Sequence, residues 1–583
     1  MREEGIRLLY IDLSSRTSQL LIRKDLMDYI GGVSLGTQLL KEYCKLRGEP
    51  LASEQPIIVT KGPMNTIFPV VTKACTMFKS PLTGELGESY GGLRLAMAMG
   101  GAGIDAIVMV GSSQTPIYIH IDGEKVHFKE ASALWGLKID ETTRLLHEQK
   151  GMWGIRSIMV IGPGGERGVK YASVTVDSFR HFGRLGLGCV MGSKGLKAIV
   201  VEGKKGHPIE HKEKYRAVYQ EIYHKVTETD LMEKYHGIGT SININVLNDM
   251  KALPFNNLQR NQSVHANEIS GERFAKERLI KKIACSGCPI GCIHIALLRK
   301  QFGEPHEYGS STISYDHELI YALGTMLGIL DLDGVLTLIQ SVEEAGLDAI
   351  TTGVLLAWMT EAYDKKRLSA EETIVVPHFG EVRIYEKMIS YLVTQPNIFY
   401  ESAKEGTDFL SKLYGGREYA MVLGKNEVAG YHTGYGNIVG QAVGARHSHL
   451  DNAGYAVDQE MDDSQIKQMV EKLIEEEIDR NLLNSLVICL FARKIYDYPT
   501  IVQALESIGY QYNEEQLKEM AIKTFLEKNE LKKQMGFSLD QIEIPERFFE
   551  TEAAGKKLKR EKAEEMLMIY QHEVEKLHNS YYN

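Results

Sequence analysis

Over roughly the first 205 residues the apolar positions fall in short runs. The segments RLLYIDLSS, PIIVTKG, DAIVMVGSS, PIYIHIDGEKVHF, RSIMVIGPGG, VKYASVTV and LKAIVVEG are β-branched stretches bounded by Gly, Pro, Ser or Asp. That pattern predicts strands with tight turns, and hence a β-rich domain with few helices over 1–205. The polar stretch KKGHPIEHKEKY marks a connector, and beyond about 210 the period becomes helical. In DDSQIKQMVEKLIEEEIDRNLLNSLV, the residues Ile466, Met469, Val470, Leu473, Ile474, Ile478 and Leu482 line one helix face. Ala563, Met566, Leu567, Tyr570, Val574 and Leu577 line another. Such stripes predict core packing. A change of pattern at YGGREY divides the helical portion into 206–415 and 416–583, so the fold class expected is α+β.

Composition adds exclusions. The chain has 583 residues, 43% apolar and 25% charged, typical of a globular protein of several domains. Lys plus Arg number 67 against 77 Asp plus Glu, a net charge of -10, with no basic run. Nucleic acid is therefore not an expected partner. No stretch approaches the ~18 uninterrupted apolar residues of a membrane span, and MREEGIRLLYIDLSSRT lacks a signal-like apolar core. A cytoplasmic protein without membrane contact is expected.

Three of the seven cysteines, Cys285, Cys288 and Cys292, fall within IACSGCPIGCIH. In a reducing compartment this spacing points to metal rather than disulfides. Soft thiolates select zinc, copper(I) or iron-sulfur iron, and Gly287, Pro289 and Gly291 suit a tight turn around a metal centre. The fourth ligand is open: His294 would make a zinc site, whereas Cys44, Cys75, Cys189 or Cys489 would complete an iron-sulfur cluster. Cys489 can equally be a small buried hydrophobe.

CSGCPIGC, ICLF, KSPLTG, GRLGLGCVMGSKGLKAI and EEAGLDAITTG occur in chain order with RLLYIDLSSRT, WGLKIDETT and LPFNNLQ. Together they resemble the aldehyde ferredoxin oxidoreductase family, tungsten or molybdenum enzymes with a bis-pterin cofactor beside a [4Fe-4S] cluster. The likeness fades only after about residue 550. It implies a β-rich pterin-binding domain at 1–205, a helical domain with the CxxCxxxC motif at 206–415, and a helical domain with the fourth cysteine at 416–583. Cys285, Cys288, Cys292 and Cys489 match the family's cluster ligands.

The resemblance also implies cofactor contacts. Arg180 and Arg184 offer fork-shaped donors to pterin phosphates, and Gly183, Gly186 and Gly188 allow close backbone approach. Lys73 stands where the family often has an arginine between pterin and cluster. Ser89 and His181 match positions of backbone contacts to a magnesium ion. Glu343, Gly346, Leu347 and Asp348 match one acidic pterin motif, with Glu343 replacing an aspartate. Asn484 and Val487 match a second, replacing an aspartate and a glycine. IGPGGERG lacks the glycine spacing of a dinucleotide loop.

The chemistry implied is oxidation of an aldehyde to a carboxylic acid, with electrons leaving to ferredoxin or another iron-sulfur carrier. Glu318 matches the family's active-site glutamate and is the expected base, while His449, or in another register His447, matches the histidine near the metal. His317 replaces a usual tyrosine. Thr337 and Gln340 replace the Glu-x-x-His that bridges subunits through iron in some members, so any homodimer is expected to lack bridging iron. Two alternatives remain: a low-potential acyl or aromatic-acid reductase subunit, and a pterin-free iron-sulfur electron-transfer subunit.

Overall fold

The computed structural model describes residues 5–149, 154–207, 209, 211–230, 232–303 and 306–582. They form two compact units between which the chain passes back and forth. The first comprises Met1–Glu233, Ala284–Gly291 and Glu477–Phe537; the second comprises Lys234–Ile283, Cys292–Glu476 and Ser538–Asn583.

The first unit carries β1 (Ile6–Asp12), β2 (Thr17–Arg23), β3 (Ile57–Thr60), β4 (Ala74–Lys79), β5 (Leu86–Gly91) and β6 (Ala106–Val110). These make one six-stranded sheet in the order β2-β1-β6-β3-β4-β5. A second sheet contains β7 (Ile117–Asp122), β8 (Lys125–Glu130), β9 (Ile155–Val160), β10 (Val174–Val176), β11 (Arg180–Phe182) and β12 (Leu196–Gly203). Its order is β11-β10-β9-β12-β7-β8. Both sheets are mixed: β1 runs parallel to β6 and β12 parallel to β7, among antiparallel neighbours. Each run expected as a strand contributes at least one. PIYIHIDGEKVHF gives the β7–β8 hairpin, turned at Gly123 with φ +60°. Leu9, Val59 and Met109 from the first sheet share one core with Ile119, Met159 and Ile199 from the second.

The expectation of few helices here is corrected. Gly32–Tyr43, Leu95–Ala102, Ile139–Glu148 and Leu187–Ser193 are helical. Leu95–Ala102 is LAMAMGGA, buried at all but one position. A helix covered on every side shows no polar face and so no helical period. Leu187–Ser193 is short and glycine-containing, and reads as a turn.

The second unit is mostly helical, as expected. Its exceptions are a short antiparallel pair, Val422–Leu423 with Asn426–Glu427, and a three-stranded antiparallel sheet of β13 (Leu279–Ile283), β14 (Ile293–Gly303) and β15 (Glu307–Tyr315). Burial along β15 is exposed at its first four residues and buried at its last three, so the alternation that betrays a strand is missing. The two expected amphipathic helices form at Ile466–Ser485 and Arg560–Tyr582. Met469, Val470, Leu473, Ile474, Ile478 and Leu482 are buried on the first, and Ala563, Met566, Tyr570 and Val574 on the second. Among the described residues no single helix is long and apolar enough to cross a membrane.

Candidate functional site

The cysteine turn forms as its glycines suggest. The Cys288 amide donates to the Cys285 carbonyl at 3.1 Å, and Gly287 and Gly291 take φ values of +76° and +61°. The Ser286 amide donates to the Leu93 carbonyl at 3.2 Å. Cys489 reaches the same neighbourhood from far along the chain. Its amide donates to the Val70 carbonyl at 3.1 Å, and Val71 pairs with Ile488 in an isolated bridge. The loop at 66–73 thus lies between two predicted ligand segments of the first unit. Cys292 begins the next segment, two residues before His294.

Burial pushes the Cys285 thiol up, but Lys73 and Arg180, with the Leu93 amide and Thr72 hydroxyl, outweigh it and leave the thiol below its ordinary value. Gly92 explains how these groups fit. A Cβ there would stand 2.8 Å from Cys285 Sγ and 3.3 Å from Lys73 Nζ. Both His294 ring nitrogens face backbone carbonyls, Nδ1 that of Cys292 at 3.1 Å and Nε2 that of His236 at 3.1 Å. That leaves no lone pair aimed at a metal. Among the described residues no three His, Cys, Asp or Glu side chains converge on a single ion.

The first unit also holds Ser89, Arg180, His181, Gly183, Arg184 and Asn484. Ser89 lies on β5 opposite Thr76, and His181 on β11 opposite Thr175. Burial and the adjacent Arg180 bring His181 down to about 4. The three glycines of this stretch separate by cause. A Cβ on Gly186 would sit 2.0 Å from the Lys170 carbonyl oxygen and one on Gly188 2.3 Å from that of Ser173, so packing accounts for both. A Cβ on Gly183 would meet nothing within 4 Å. The open space beside Gly183, next to Arg184, fits a cradle for an external group.

Asn484 lies in the last turn of the helix Ile466–Ser485, where its carbonyl oxygen would lie 2.1 Å from a Cβ on Gly32. Val487, at the expected glycine position, has φ +55°. One turn earlier, Asn481 accepts from Lys528, which also pairs with Glu88 at 2.6 Å in a buried ion pair.

Glu343, Gly346, Leu347 and Asp348 lie in the second unit, where they join two helices. Gly346 closes Leu332–Ala345 with φ +72°, and its amide donates to the Glu343 carbonyl. The Asp348 carboxylate caps Ala349–Asp364, accepting from the Ile350 amide at 3.0 Å and the Thr351 hydroxyl at 2.6 Å.

The catalytic candidates meet in the second unit. Asp316 caps the helix His317–Leu323, so Glu318 stands in its first turn. The Tyr431 hydroxyl donates to Glu318 Oε1 at 3.0 Å, and His449 Nε2 lies 3.4 Å from the same oxygen. The Tyr431 ring lies 5.0 Å from that of His317 and 5.1 Å from that of His449, and stacks on Tyr455 at 4.6 Å. His317 and His449 are buried; His449 is drawn to Glu318 through Nε2, and His317 to the Gly430 backbone. Glu318 keeps 24% of its side-chain surface open. Burial disfavours charge on both Glu318 and His317, while their mutual attraction favours it. At Glu318 the hydrogen bond from His449 and the two imidazoles prevail, holding the carboxyl below its usual range. At His317 burial prevails, leaving the imidazole below its ordinary value. Burial and Glu318 push Tyr431 well above 10.

Of the two histidine registers, the geometry brings His449 to Glu318. His447 instead directs Nδ1 to the Ala442 carbonyl at 2.8 Å and packs against Gly424. Tyr431, Tyr455 and Gly92 went unread in the sequence. Tyr431 lies in VAGYHTGYG, whose density of glycine and tyrosine was its only signal.

Two family models cover the chain. The N-terminal domain of aldehyde ferredoxin oxidoreductase matches residues 8–203, and domains 2 and 3 of the same family match 217–583. The tungsten-containing aldehyde ferredoxin oxidoreductase of Pyrococcus furiosus is 34% identical over 410 residues, 69% of this chain and 66% of that protein. The match thus spans just under two thirds of that relative. The WOR-like subunit of an aliphatic sulfonate oxidoreductase from Pyrococcus furiosus is 29% identical over 84% of this chain and 79% of that protein. In fold the chain resembles the BamBC active-site complex of benzoyl coenzyme A reductase bound to 1,5-dienoyl-CoA. The TM-score is 0.83 at 19% identity, over 98% of this chain and 95% of that one. The chain belongs to the aldehyde ferredoxin oxidoreductase family.

Proposed function

We propose that this family member is a cytoplasmic tungsten- or molybdenum-pterin oxidoreductase that converts a small aldehyde to its carboxylic acid. Electrons would leave through a [4Fe-4S] cluster on Cys285, Cys288, Cys292 and Cys489 to ferredoxin. The observation that carries this reading is the Glu318 carboxylate, held by Tyr431 and His449 beside the buried His317. The residues fit the groups the family implies. Thiolates on a tight turn, beside Lys73 and Arg180, suit an anionic iron-sulfur cluster. The open space at Gly183 beside Arg184 suits a pterin phosphate.

The overall change is RCHO plus water to RCOOH, two protons and two electrons. When bound, the pterin-held metal accepts the two electrons. The protein supplies the proton handling. Glu318, ionised at neutral pH, takes a proton from the water that adds to the carbonyl carbon. Tyr431 keeps that carboxylate oriented, and its high pKa keeps its own proton in place. His317, neutral at pH 7, can donate an N–H to the carbonyl oxygen, as can His449.

One observation favours a second reading, the low-potential reduction of an acyl or aromatic acid. His317 replaces a tyrosine, so two imidazoles flank the base, and their N–H groups could hydrogen-bond to the oxygen of an acyl or aromatic acid in the reductive direction. Metal analysis of anaerobically purified protein, followed by an aldehyde panel with a viologen acceptor, tests both. About four iron with one tungsten or molybdenum per chain and aldehyde-dependent dye reduction support the first reading. The same metals without aldehyde turnover favour the second. Iron without the heavier metal points to a pterin-free subunit, and zinc without iron defeats all three.

A further inference from the structure

We propose that the exposed face of the helix Lys212–Thr227 is the docking surface for an acidic iron-sulfur electron-carrier protein. This rests on the reading of the cysteine turn as the electron exit. Lys212, Arg216, Tyr219 and Tyr223 follow one another at steps of four, three and four residues, which aligns them on a single stripe. The opposite requirement, anchoring, is met by Val218, Ile222 and Val226, which are buried. Lys212 and Arg216 are exposed, and Tyr223 is 40% exposed.

The stripe adjoins the cysteines through aromatic side chains. Tyr219 stacks on Tyr223 with ring centroids 6.1 Å apart, and Tyr215 lies 5.8 Å from Tyr219. The Tyr215 hydroxyl donates to the Ile67 carbonyl at 2.7 Å, on the loop that also receives the Cys489 amide. Tyr496 donates to Pro69 of that loop at 2.5 Å. Tyr215 and Tyr496 therefore tie the exposed stripe to the loop whose Val70 carbonyl receives the amide of Cys489, a predicted cluster ligand.

Charge selects the occupant. Among the described residues neither Lys212 nor Arg216 forms an ion pair, although most cations of this helix's other faces do, as with Lys214–Glu506 and Lys225–Glu221. The chain carries a net charge of -10. An acidic partner is repelled by the molecule at large and attracted to unpaired cations, which both orients it and speeds encounter. Tyr and Arg together are also the residue types that dominate binding at interface centres. Each docking would pass one electron to the oxidised centre of the carrier, so two dockings match one two-electron oxidation.

The test uses the anaerobic holoenzyme, a purified acidic [4Fe-4S] ferredoxin, and benzyl viologen as a small acceptor. Calorimetry measures binding of the oxidised ferredoxin at low and high salt, and steady-state assays give its KM. The double variant Lys212→Glu/Arg216→Glu should weaken binding and raise the ferredoxin KM by roughly tenfold or more, and flatten the salt dependence, with viologen turnover unchanged. Tyr223→Ala, on an exposed position, should weaken binding without touching the salt slope. Unchanged ferredoxin affinity in these variants, no binding to the wild type, or tighter binding of basic cytochrome c would overturn the proposal. Loss of aldehyde-viologen activity with the ferredoxin binding shifts intact would fail the proposed reaction and leave the docking surface standing.

Discussion

Glu318 shows how local and tertiary chemistry can share one residue. By position it is a first-turn helix carboxylate, and alone it would read as nothing more. The fold adds Tyr431 and His449, from segments more than a hundred residues away, at 3.0 and 3.4 Å. Glu318→Gln removes the base while keeping the shape, so aldehyde turnover should fall by about 10²–10⁴-fold with iron and tungsten or molybdenum content unchanged. Persisting turnover at full metal loading would refute the base role. Gly92 is the complementary case, a residue needed for what it lacks. Gly92→Ala should lower iron per chain and the visible absorbance of the cluster, because the added Cβ would displace Cys285 Sγ from 2.8 Å. An alanine variant with full iron content would count against this packing. The resemblance marked Glu318, His449 and the four cysteines as candidates. Tyr431 and Gly92 were not legible, since a hydroxyl aimed across the fold and a missing Cβ leave no trace in spacing.

At the level of elements, the two proposed pterin motifs differ in how much the protein itself uses them. In the Glu343–Asp348 stretch, Gly346 supplies the left-handed helix end and Asp348 the next helix cap, so local geometry accounts for both. The Asn484–Val487 stretch departs from its local rule. Val487 is buried with φ +55°, a region that a β-branched residue enters only under strain. Its carbonyl accepts from the Lys73 amide, and Gly31, Gly32 and Gly62 crowd the same turn. Strain of this kind costs about 1–3 kcal/mol. Replacement by glycine alone confounds strain with lost burial, so the informative comparison is with alanine. Val487→Gly should be more stable than Val487→Ala by about 1 kcal/mol in equilibrium unfolding, because both lose the isopropyl group and only glycine relaxes the backbone. Equal stabilities would mean the turn is unstrained. The substitution was visible in the sequence; its conformational meaning required the dihedral.

For the whole molecule, β1, β3, β6 to β10 and β12 of the first unit were legible as β-branched runs ending in Gly, Pro, Ser or Asp, whereas β2, which has no buried face, and β4, β5 and β11 were not. The order of the strands in two mixed sheets was not legible either, because β1 pairs with β6 and β12 with β7 across long intervals. The same long-range assembly buries ionisable groups that local sequence presents as ordinary. His432 is 1% exposed, its Nε2 facing the Thr551 carbonyl at 3.0 Å, and burial lowers its pKa to about 4. The unfolded chain protonates this histidine below about 6.5 while the folded chain does not until about 4. Acid therefore favours unfolding across that window, and below it the difference is constant. One such group removes about 2–3 kcal/mol between pH 7.5 and 4.5. His317, lowered by burial, acts in the same direction. Glu318 acts later: its depressed carboxyl contributes stability above the ordinary carboxylate range and loses it only as pH falls further. His432→Gln keeps a donor for Thr551 and takes up no proton. Thermal midpoints measured from pH 7.5 to 4.5 should thus fall less steeply in the variant than in the wild type. Parallel profiles would show that His432 is protonated in the folded state, and would place the acid sensitivity in other groups.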